Sequence, residues 1–366
     1  FQGAHVKIVQ VQTQAEAAGA QRISDMVGHG LRERGHDVRT VFMYRKTHAF
    51  DLDPYADFIL REEPRGSLGR ARAAFGLARY LSRSRPDAVI TFQHYGNIVG
   101  AVAARWAGIR TVVANQSGAP QTMGILASID KILGSAGFYQ ANVVNSEWTK
   151  AQFDNYPRGY QKIISHIDHG VPVSSTCFDR ATARAKFGLP QDAWLVVTSG
   201  RIVKSKNHLV LVAALAFLPD VHMALAGVGP EQEALMDFAG RHGVLDRVHL
   251  VGEVPPEQMF EFLATGDAYA FPSLTETFGL AAVEAAMAGL PIVANNLDVL
   301  HEVLTTENGQ SAAIFVEANA QDMARGLAEL MAKPQLAAAL SSAGLQLKQK
   351  YSVSRMCAGY EALLRA

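Results

Sequence analysis

The stretch Ala268-Tyr269-Ala270-Phe271-Pro272-Ser273-Leu274-Thr275-Glu276-Thr277-Phe278-Gly279-Leu280-Ala281-Ala282-Val283-Glu284-Ala285 runs from a short apolar segment through a polar loop into a small-residue helical segment. A buried strand bounded by proline, then a loop, then a helix starting near Gly279 is the unit of an open α/β sheet. Such sheets bind ligands beyond the carboxyl ends of their strands. The free N–H groups and positive dipole end of the helix offer an anion site there. Two carboxylates flank it. Glu276 sits in the loop, and Glu284 sits inside an otherwise apolar helix, where it is costly unless paired or accepting hydrogen bonds. Glu284 either pairs with a structural donor or accepts sugar hydroxyls.

The same pattern repeats outward from this stretch. Upstream, the strand Trp194–Ser199 enters Gly200-Arg201-Ile202-Val203-Lys204-Ser205-Lys206-Asn207 and a helix over Asn207–Leu218. Arg201 offers a bidentate fork and Lys206 a mobile point charge for phosphate oxygens; the alternative is a solvated basic turn. His222–Ala226, Val248–Val251 and Pro291–Ala294 read as further strands. Nearer the start, strands are expected at His5–Val11, Asp37–Met43, Asp87–Phe92, Thr111–Ala114 and Asn142–Asn145, with a helix over Ala20–Arg34. This β-α-β rhythm implies parallel, doubly wound sheets. It restarts after Gly170-Val171-Pro172, so two Rossmann-like domains are expected, 4–172 and 173–351. A last helix near Ser352–Arg365 suits either domain.

A redox dinucleotide site is disfavoured. Gly227-Val228-Gly229-Pro230-Glu231-Gln232 has two of the three fingerprint glycines, but Gln232 takes the third position, and nothing comparable follows the first strand. Composition narrows the class further. The 366 residues are 49% apolar and 19% charged, which excludes a disordered chain. Thirty-four basic and thirty-four acidic side chains cancel, against a dedicated nucleic-acid binder. The balance conceals an asymmetry: residues 1–170 hold 20 basic and 14 acidic side chains, and residues 171–366 the reverse. Two cysteines, Cys177 and Cys357, lack metal-ligand spacing and point to a reducing compartment. The most apolar stretch, 277–294, is broken by Glu284 and Pro291 and does not read as a membrane span. A cytoplasmic protein is expected, with peripheral contact at the inner face of the membrane left open. Phe1-Gln2-Gly3 reads as the scar of a cleaved tag.

At Glu276 and Glu284 the sequence resembles the E-x7-E signature of the retaining glycosyltransferases of family 4, which have the GT-B fold of two Rossmann-like domains facing a central cleft. Pro272-Ser273 and Phe278-Gly279-Leu280 are similar to that family's surrounding loop, and Ala288-Gly289-Leu290-Pro291-Ile292-Val293-Ala294 to its next turn and strand. Gly200-Arg201 with Lys206-Asn207 resembles its phosphate-binding pair. Gly227-Val228-Gly229-Pro230 resembles its second glycine loop, and Val251-Gly252-Glu253-Val254 its base-binding turn. Ala18-Gly19-Ala20-Gln21-Arg22, Arg34-Gly35-His36-Asp37-Val38 and Arg85-Pro86-Asp87-Ala88-Val89-Ile90 echo its amino-terminal half. The likeness covers nearly the whole chain and is strongest over 194–304.

The resemblance implies a metal-independent transfer from a nucleotide-diphosphate sugar, UDP favoured slightly over GDP, with no cofactor and with configuration retained. The acceptor would be a glycan or lipid-linked sugar of cell-surface polysaccharide synthesis. Arg201, Lys206 and Glu276 would be catalytic. Gly19, Gly200, Gly227, Gly252, Glu253 and Val254 would bind the donor, together with Thr277, Phe278, Gly279, Leu280 and Glu284. The last helix, 352–366, would cross back to the amino-terminal domain. Departures from the pattern are Thr277 where glycine is usual, Gln116-Ser117-Gly118 in place of His-Gly, Ala18-Gly19 for a glycine pair, and Asp168-His169-Gly170-Val171-Pro172 between the domains. A non-catalytic nucleotide-sugar-binding partner subunit is therefore the alternative.

Three weaker signals remain. Asp51-Leu52-Asp53 matches a metal motif but lies in a polar loop far from the donor residues, and no metal is expected. His94 and Tyr95 follow a strand at its ligand end and, with Gln116, are candidates for acceptor contact. Seven arginines between Arg61 and Arg85 interleave with Leu68, Phe75, Leu77 and Leu81. They suit either an anionic membrane surface or the solvated face of an ordinary helix.

Overall fold

The computed structural model describes residues 5–16, 19–174, 176 and 178–365. The tag-like Phe1-Gln2-Gly3, Ala18 and Cys177 lie outside them. The chain divides into two compact units. The first takes the residues up to Gly170 and those from Val353 onward; the second is Val171–Ser352.

The first unit runs β1 (Lys7–Ala15), α1 (Gly19–Glu33), β2 (Asp37–Arg45), β3 (Ala56–Leu60), α2 (Gly66–Ser84), β4 (Ala88–Phe92), α3 (His94–Trp106), β5 (Thr111–Asn115), α4 (Ile125–Ser135), β6 (Ala141–Val144), α5 (Glu147–Ala151), α6 (Arg158–Gln161) and β7 (Ile164–His166). The second runs α7 (Arg180–Lys186), β8 (Trp194–Ser199), α8 (His208–Ala214), β9 (Val221–Ala226), α9 (Gln232–Arg241), β10 (Val248–Gly252), α10 (Met259–Leu263), β11 (Ala268–Phe271), α11 (Leu280–Met287), β12 (Ile292–Asn295), α12 (Asp298–Val303), β13 (Ala313–Val316), α13 (Ala320–Ala332) and α14 (Pro334–Lys350). The last helix, α15 (Val353–Arg365), belongs to the first unit.

Both sheets are parallel, in the orders β3-β2-β1-β4-β5-β6-β7 and β10-β9-β8-β11-β12-β13. The inner strands are near-continuous apolar runs because both faces are covered. Val89, Ile90, Val112 and Val113 are fully buried in one sheet, and Leu195, Val197, Ala270 and Val293 in the other. Strand order reverses between β1 and β4 and again between β8 and β11. Each reversal is a switch point, where neighbouring loops diverge and leave a crevice at the carboxyl edge.

Two local features depart from expectation. β1 does not stop at Val11. It pairs with β2 as far as Ala15, through a run of glutamines. Gln10 and Gln14 find partners: Gln10 Nε2 donates to Ser24 O at 3.0 Å, Thr40 Oγ1 donates to Gln10 Oε1 at 3.0 Å, and Tyr44 OH donates to Gln14 Oε1 at 2.6 Å. Satisfied polar groups can be buried in a strand at little net cost. The helix expected over 207–218 spans only His208–Ala214, and its last turn tightens into a 3₁₀ turn, Leu215–Phe217.

Helix α15 packs on α1. Glu361 meets Arg34 at 3.1 Å and His36 at 3.2 Å, and Asn115 Nδ2 donates to the Tyr360 hydroxyl at 2.5 Å. Gly30 makes the close approach of the two helices feasible, because a Cβ there would collide with Cys357 Sγ. Cys357 is buried, and burial pushes its thiol up to about 11. Among the described residues no helix is long and apolar enough to cross a membrane.

Candidate active site

The carboxyl edge of the second sheet is a set of loops tied to one another. Gly227 N–H donates to Gly252 O at 2.7 Å, Gly200 N–H to Ala226 O at 2.9 Å, and Ile202 N–H to Val228 O at 3.0 Å. Leu274 N–H donates to Ser205 O at 2.8 Å. The loops after β8, β9, β10 and β11 are thus held in one frame by backbone bonds. Gly227 is required by this frame. Its φ is +149°, and a Cβ would collide with the carbonyl oxygen of Gly200. Gly229 faces the same constraint from Ile202 O. The two glycines that resembled a dinucleotide fingerprint thus serve the contact between neighbouring loops.

At the β8–β11 switch point the frame brings Lys206 and Glu276 together. Lys206 Nζ lies 2.5 Å from Glu276 Oε1 and 5.5 Å from the centre of the Phe271 ring. The pair is largely but not fully covered, with the carboxylate the less exposed partner. Asn207 takes a left-handed conformation, φ +54°, between the lysine turn and α8. Asparagine tolerates that conformation better than other side chains. Arg201 is exposed on the same loop and has no ion-pair partner among the described residues.

On the other side of the switch point, Gly279 (φ +82°) precedes α11. A Cβ there would press on Leu300 Cδ2. Phe278 is buried edge-on against Tyr351, with ring centroids 5.3 Å apart. Thr277 and Leu280 are half-buried beside it, and Glu284 is buried on α11. Beneath the site the Tyr269 hydroxyl meets Ser199 Oγ at 2.9 Å. Burial raises its pKa, and the charges of Glu284 and Glu276 add to the effect. His208, at the first turn of α8, is buried, and its Nδ1 has no hydrogen-bond partner. Burial, then the charge of Lys206, push it down to about 4, so it is neutral near pH 7. In the turn after β10, Gly252 has φ +82°, Glu253 is exposed and Val254 buried. Tyr269, His208 and Gly229 were missed as site residues; only Gly229, inside the quoted glycine loop, carried a visible signal.

The first unit has its own polar cluster at the sheet edge. His94 Nδ1 and Gln116 Oε1 are 2.7 Å apart, joining the ends of β4 and β5. The amide oxygen only accepts, so Nδ1 carries the proton of this bond. Gln93, φ +65°, turns the chain here, and its Oε1 accepts from Thr13 N–H. Tyr95 lines a separate cavity of about 300 Å³ with Thr13, Tyr44, Glu63 and Arg70. Gly19 opens α1 and is exposed, with open space where a Cβ would stand. Asp51 is engaged by Arg45 at 3.0 Å and His48 at 2.6 Å, and Asp53 accepts from Tyr55 N–H. Both acids thus serve the loop in which they sit.

Comparison with known proteins bears on this arrangement. The description "Glycosyl transferase 4-like domain" matches residues 18–200, half of the chain, and "Glycosyl transferases group 1" matches residues 179–346. The D-inositol 3-phosphate glycosyltransferase of Mycolicibacterium smegmatis is 31% identical over 227 residues, 60% of this chain and 52% of that one. The match thus spans about half the length of that relative. The lipopolysaccharide core biosynthesis glycosyltransferase LpsD of Rhizobium meliloti is 25% identical over 93% of both chains. Among solved structures, Anabaena HepE in complex with UDP and glucose superposes with a TM-score of 0.85 over 99% of this chain and 100% of that one, at 19% identity. With one description matching half its length and the other most of the remainder, the chain belongs to the glycosyl transferase 4-like family and has the GT-B fold.

Proposed function

We propose that this glycosyltransferase takes a sugar from a nucleotide diphosphate, UDP ahead of GDP. It passes the sugar to a glycan or lipid-linked acceptor of cell-surface polysaccharide synthesis, with retention and without a metal. The observation that carries the reading is the Lys206–Glu276 pair at the β8–β11 switch point, with Arg201 on the same loop and the amino end of α11 opposite. Lys206 and Arg201 would hold the diphosphate and stabilise the negative charge that grows on it as the sugar departs, commonly the largest catalytic term. That supplies by side chains what a divalent cation supplies elsewhere.

Glu276 would accept hydroxyls of the donor sugar and Glu284 those of the ribose. The backbone N–H groups of Phe278, Gly279 and Leu280 would line the sugar and phosphate. The loops at Gly200, Gly227 and Gly252 bring backbone close to the nucleotide, with Glu253 and Val254 at the base and Thr277 beside the sugar. On the first unit, His94, Gln116 and Tyr95 would meet the acceptor, and Gly19 would stand at the opening loop. The lipopolysaccharide-core relative supports an acceptor of this class.

The test is thermal stabilisation by UDP, GDP, ADP and NAD, followed by turnover of the matching sugar donor with and without EDTA. Stabilisation by UDP or GDP and EDTA-insensitive turnover are expected. Stabilisation by NAD alone overturns the reading, and loss of turnover in EDTA overturns metal independence.

A further inference from the structure

The first unit contains a helical layer whose outer surface is apolar where solvent exposure calls for polar side chains. Helix α3 packs against both α2 and α4. Among the described residues, these three helices carry seven of the sixteen large apolar side chains that stand exposed. Such concentration on one layer is unlike the scattered apolar residues of an ordinary surface.

Each helix contributes in a regular way. On α2, Leu68, Arg72, Phe75, Arg79 and Arg83 follow one another at spacings of four, three, four and four. They form a single stripe, opposite the buried Ala73, Leu77 and Leu81. Leu68 is 83% and Phe75 62% exposed. On α3, Trp106 is 65% exposed, and its ring lies 6.4 Å from that of Phe75. The two rings border a groove of about 340 Å³ between α2 and α3, lined by Ala74, Ala78, Ile98 and Val102 among others. Helix α4 is turned inside out. Its acid, Asp130, is buried and accepts hydrogen bonds from the hydroxyls of Tyr139 and Tyr160. Its isoleucines Ile125, Ile129 and Ile132, spaced four and three apart, stand exposed.

The charge on this face has one sign. Arg72, Arg79 and Arg83 have no ion-pair partner among the described residues. Arg70 points elsewhere, into the cavity beside Tyr44 and Glu63. Guanidinium groups interleaved with Leu, Phe and Trp complement the boundary of a bilayer. The rings and aliphatic side chains enter the acyl margin, and the arginines stay level with phosphate. A protein partner would be expected to supply acids to these arginines and an apolar face to the rings; a bilayer with anionic headgroups supplies both over any area.

We propose that the outer surface of the α2–α3–α4 layer is a docking face for anionic lipid bilayers, with Phe75 and Trp106 as the inserted anchors and Arg72, Arg79 and Arg83 as the headgroup contacts. The face lies wholly within the first unit and uses none of the donor residues. Its test therefore needs no sugar donor and stands or falls apart from the transfer reading.

The full chain is sedimented with vesicles of phosphatidylcholine alone and of phosphatidylcholine mixed with phosphatidylglycerol, at low and high salt. Partitioning onto the anionic vesicles, weakened by salt and accompanied by a blue shift of tryptophan emission, is expected. Removing the charges in R72Q/R79Q/R83Q lowers the partition coefficient by about fivefold per arginine. F75S/W106S lowers it by roughly tenfold or more and abolishes the blue shift. Both variants replace exposed side chains, and an unchanged melting temperature confirms that they fold. Equal partitioning onto neutral and anionic vesicles overturns the proposal. So does a dimer in light scattering that F75S/W106S dissociates while the wild-type chain ignores vesicles, since the face would then be an interface between copies.

Discussion

Lys206 presents an ammonium that Glu276 already neutralises in part, at 2.5 Å and largely out of solvent. A diphosphate brings several negative oxygens to the same group, so the two anions compete for one cation. This gives the two residues different signatures. Lys206→Ala removes a charge-assisted contact and should weaken UDP binding roughly 10- to 100-fold. It should also cost on the order of 10²–10³ in turnover, as loss of other charge-stabilising groups does. Glu276→Gln frees the lysine: UDP binding should stay level or tighten while turnover falls by a similar factor. Calorimetry with UDP and a coupled assay for UDP release measure the two effects separately. A parallel loss of UDP affinity in both variants would contradict the competition. These residues were legible in the sequence because each sits in a loop between a strand and a helix, where only ligand chemistry or a turn explains a charged side chain. Tyr269 and His208 were not legible. One is an aromatic at a strand position and the other a histidine at a helix start, and only the fold brings the tyrosine within reach of the Glu284 and Glu276 charges and the histidine within reach of the Lys206 charge.

At the scale of elements, the loop frame depends on backbone approaching backbone. Gly227→Ala sets a Cβ against the Gly200 carbonyl at a φ that L side chains rarely adopt. It should destabilise the second unit by about 1–3 kcal/mol and abolish stabilisation by UDP. A thermal melt with and without nucleotide reads both. A Gly227→Ala variant that melts and binds like the wild type would show that the loops are not so tightly joined. Long, apolar inner strands were legible because burial on both faces writes a continuous run. The strands that were missed, β3, β7 and β13, are short; β3 and β7 are only half-buried, and all three lie at or next to a sheet edge. There the pattern is weak and hydrogen bonding to a neighbour decides. The polar half of β1 escaped for a different reason, since Gln10 and Gln14 are matched by partners far away in the sequence. The arginine run of α2 was visible, but its division between an outer stripe and a cavity-facing Arg70 follows from helical phase.

Over the whole molecule, pH acts on each unit through a buried histidine. His169 in the first unit and His208 in the second are pushed down to about 4, in each case chiefly by burial. Asn145 Nδ2 donates to His169 Nε2, which requires that nitrogen unprotonated. An unfolded histidine takes a proton near pH 6.5, so between there and about 4 the unfolded chain binds more protons and stability falls as pH falls. The limit is on the order of 3 kcal/mol per histidine. His166 runs the other way. Burial lowers its pKa, but Asp168 and Glu147 outweigh that and raise it, so its contribution is present at low pH and lost as pH rises. Burial also lowers His222 and His249, so four lowered histidines against one raised one predict a melting temperature that drops from about pH 6.5 towards 5. His208→Gln should flatten that slope. An unchanged slope in His208→Gln would show that other groups carry the acid sensitivity. The chain also passes between the units twice, and Val171 N–H donates to Tyr351 O at 2.8 Å where the second unit begins and ends. In genetic terms the second unit is an insertion whose two ends meet. During synthesis it is complete once Ser352 has left the ribosome, whereas the first unit, begun earlier, waits for α15 to close over α1. The half that starts first finishes last, and until then the side of α1 at Met26 and Gly30, on which Cys357 packs, stays uncovered.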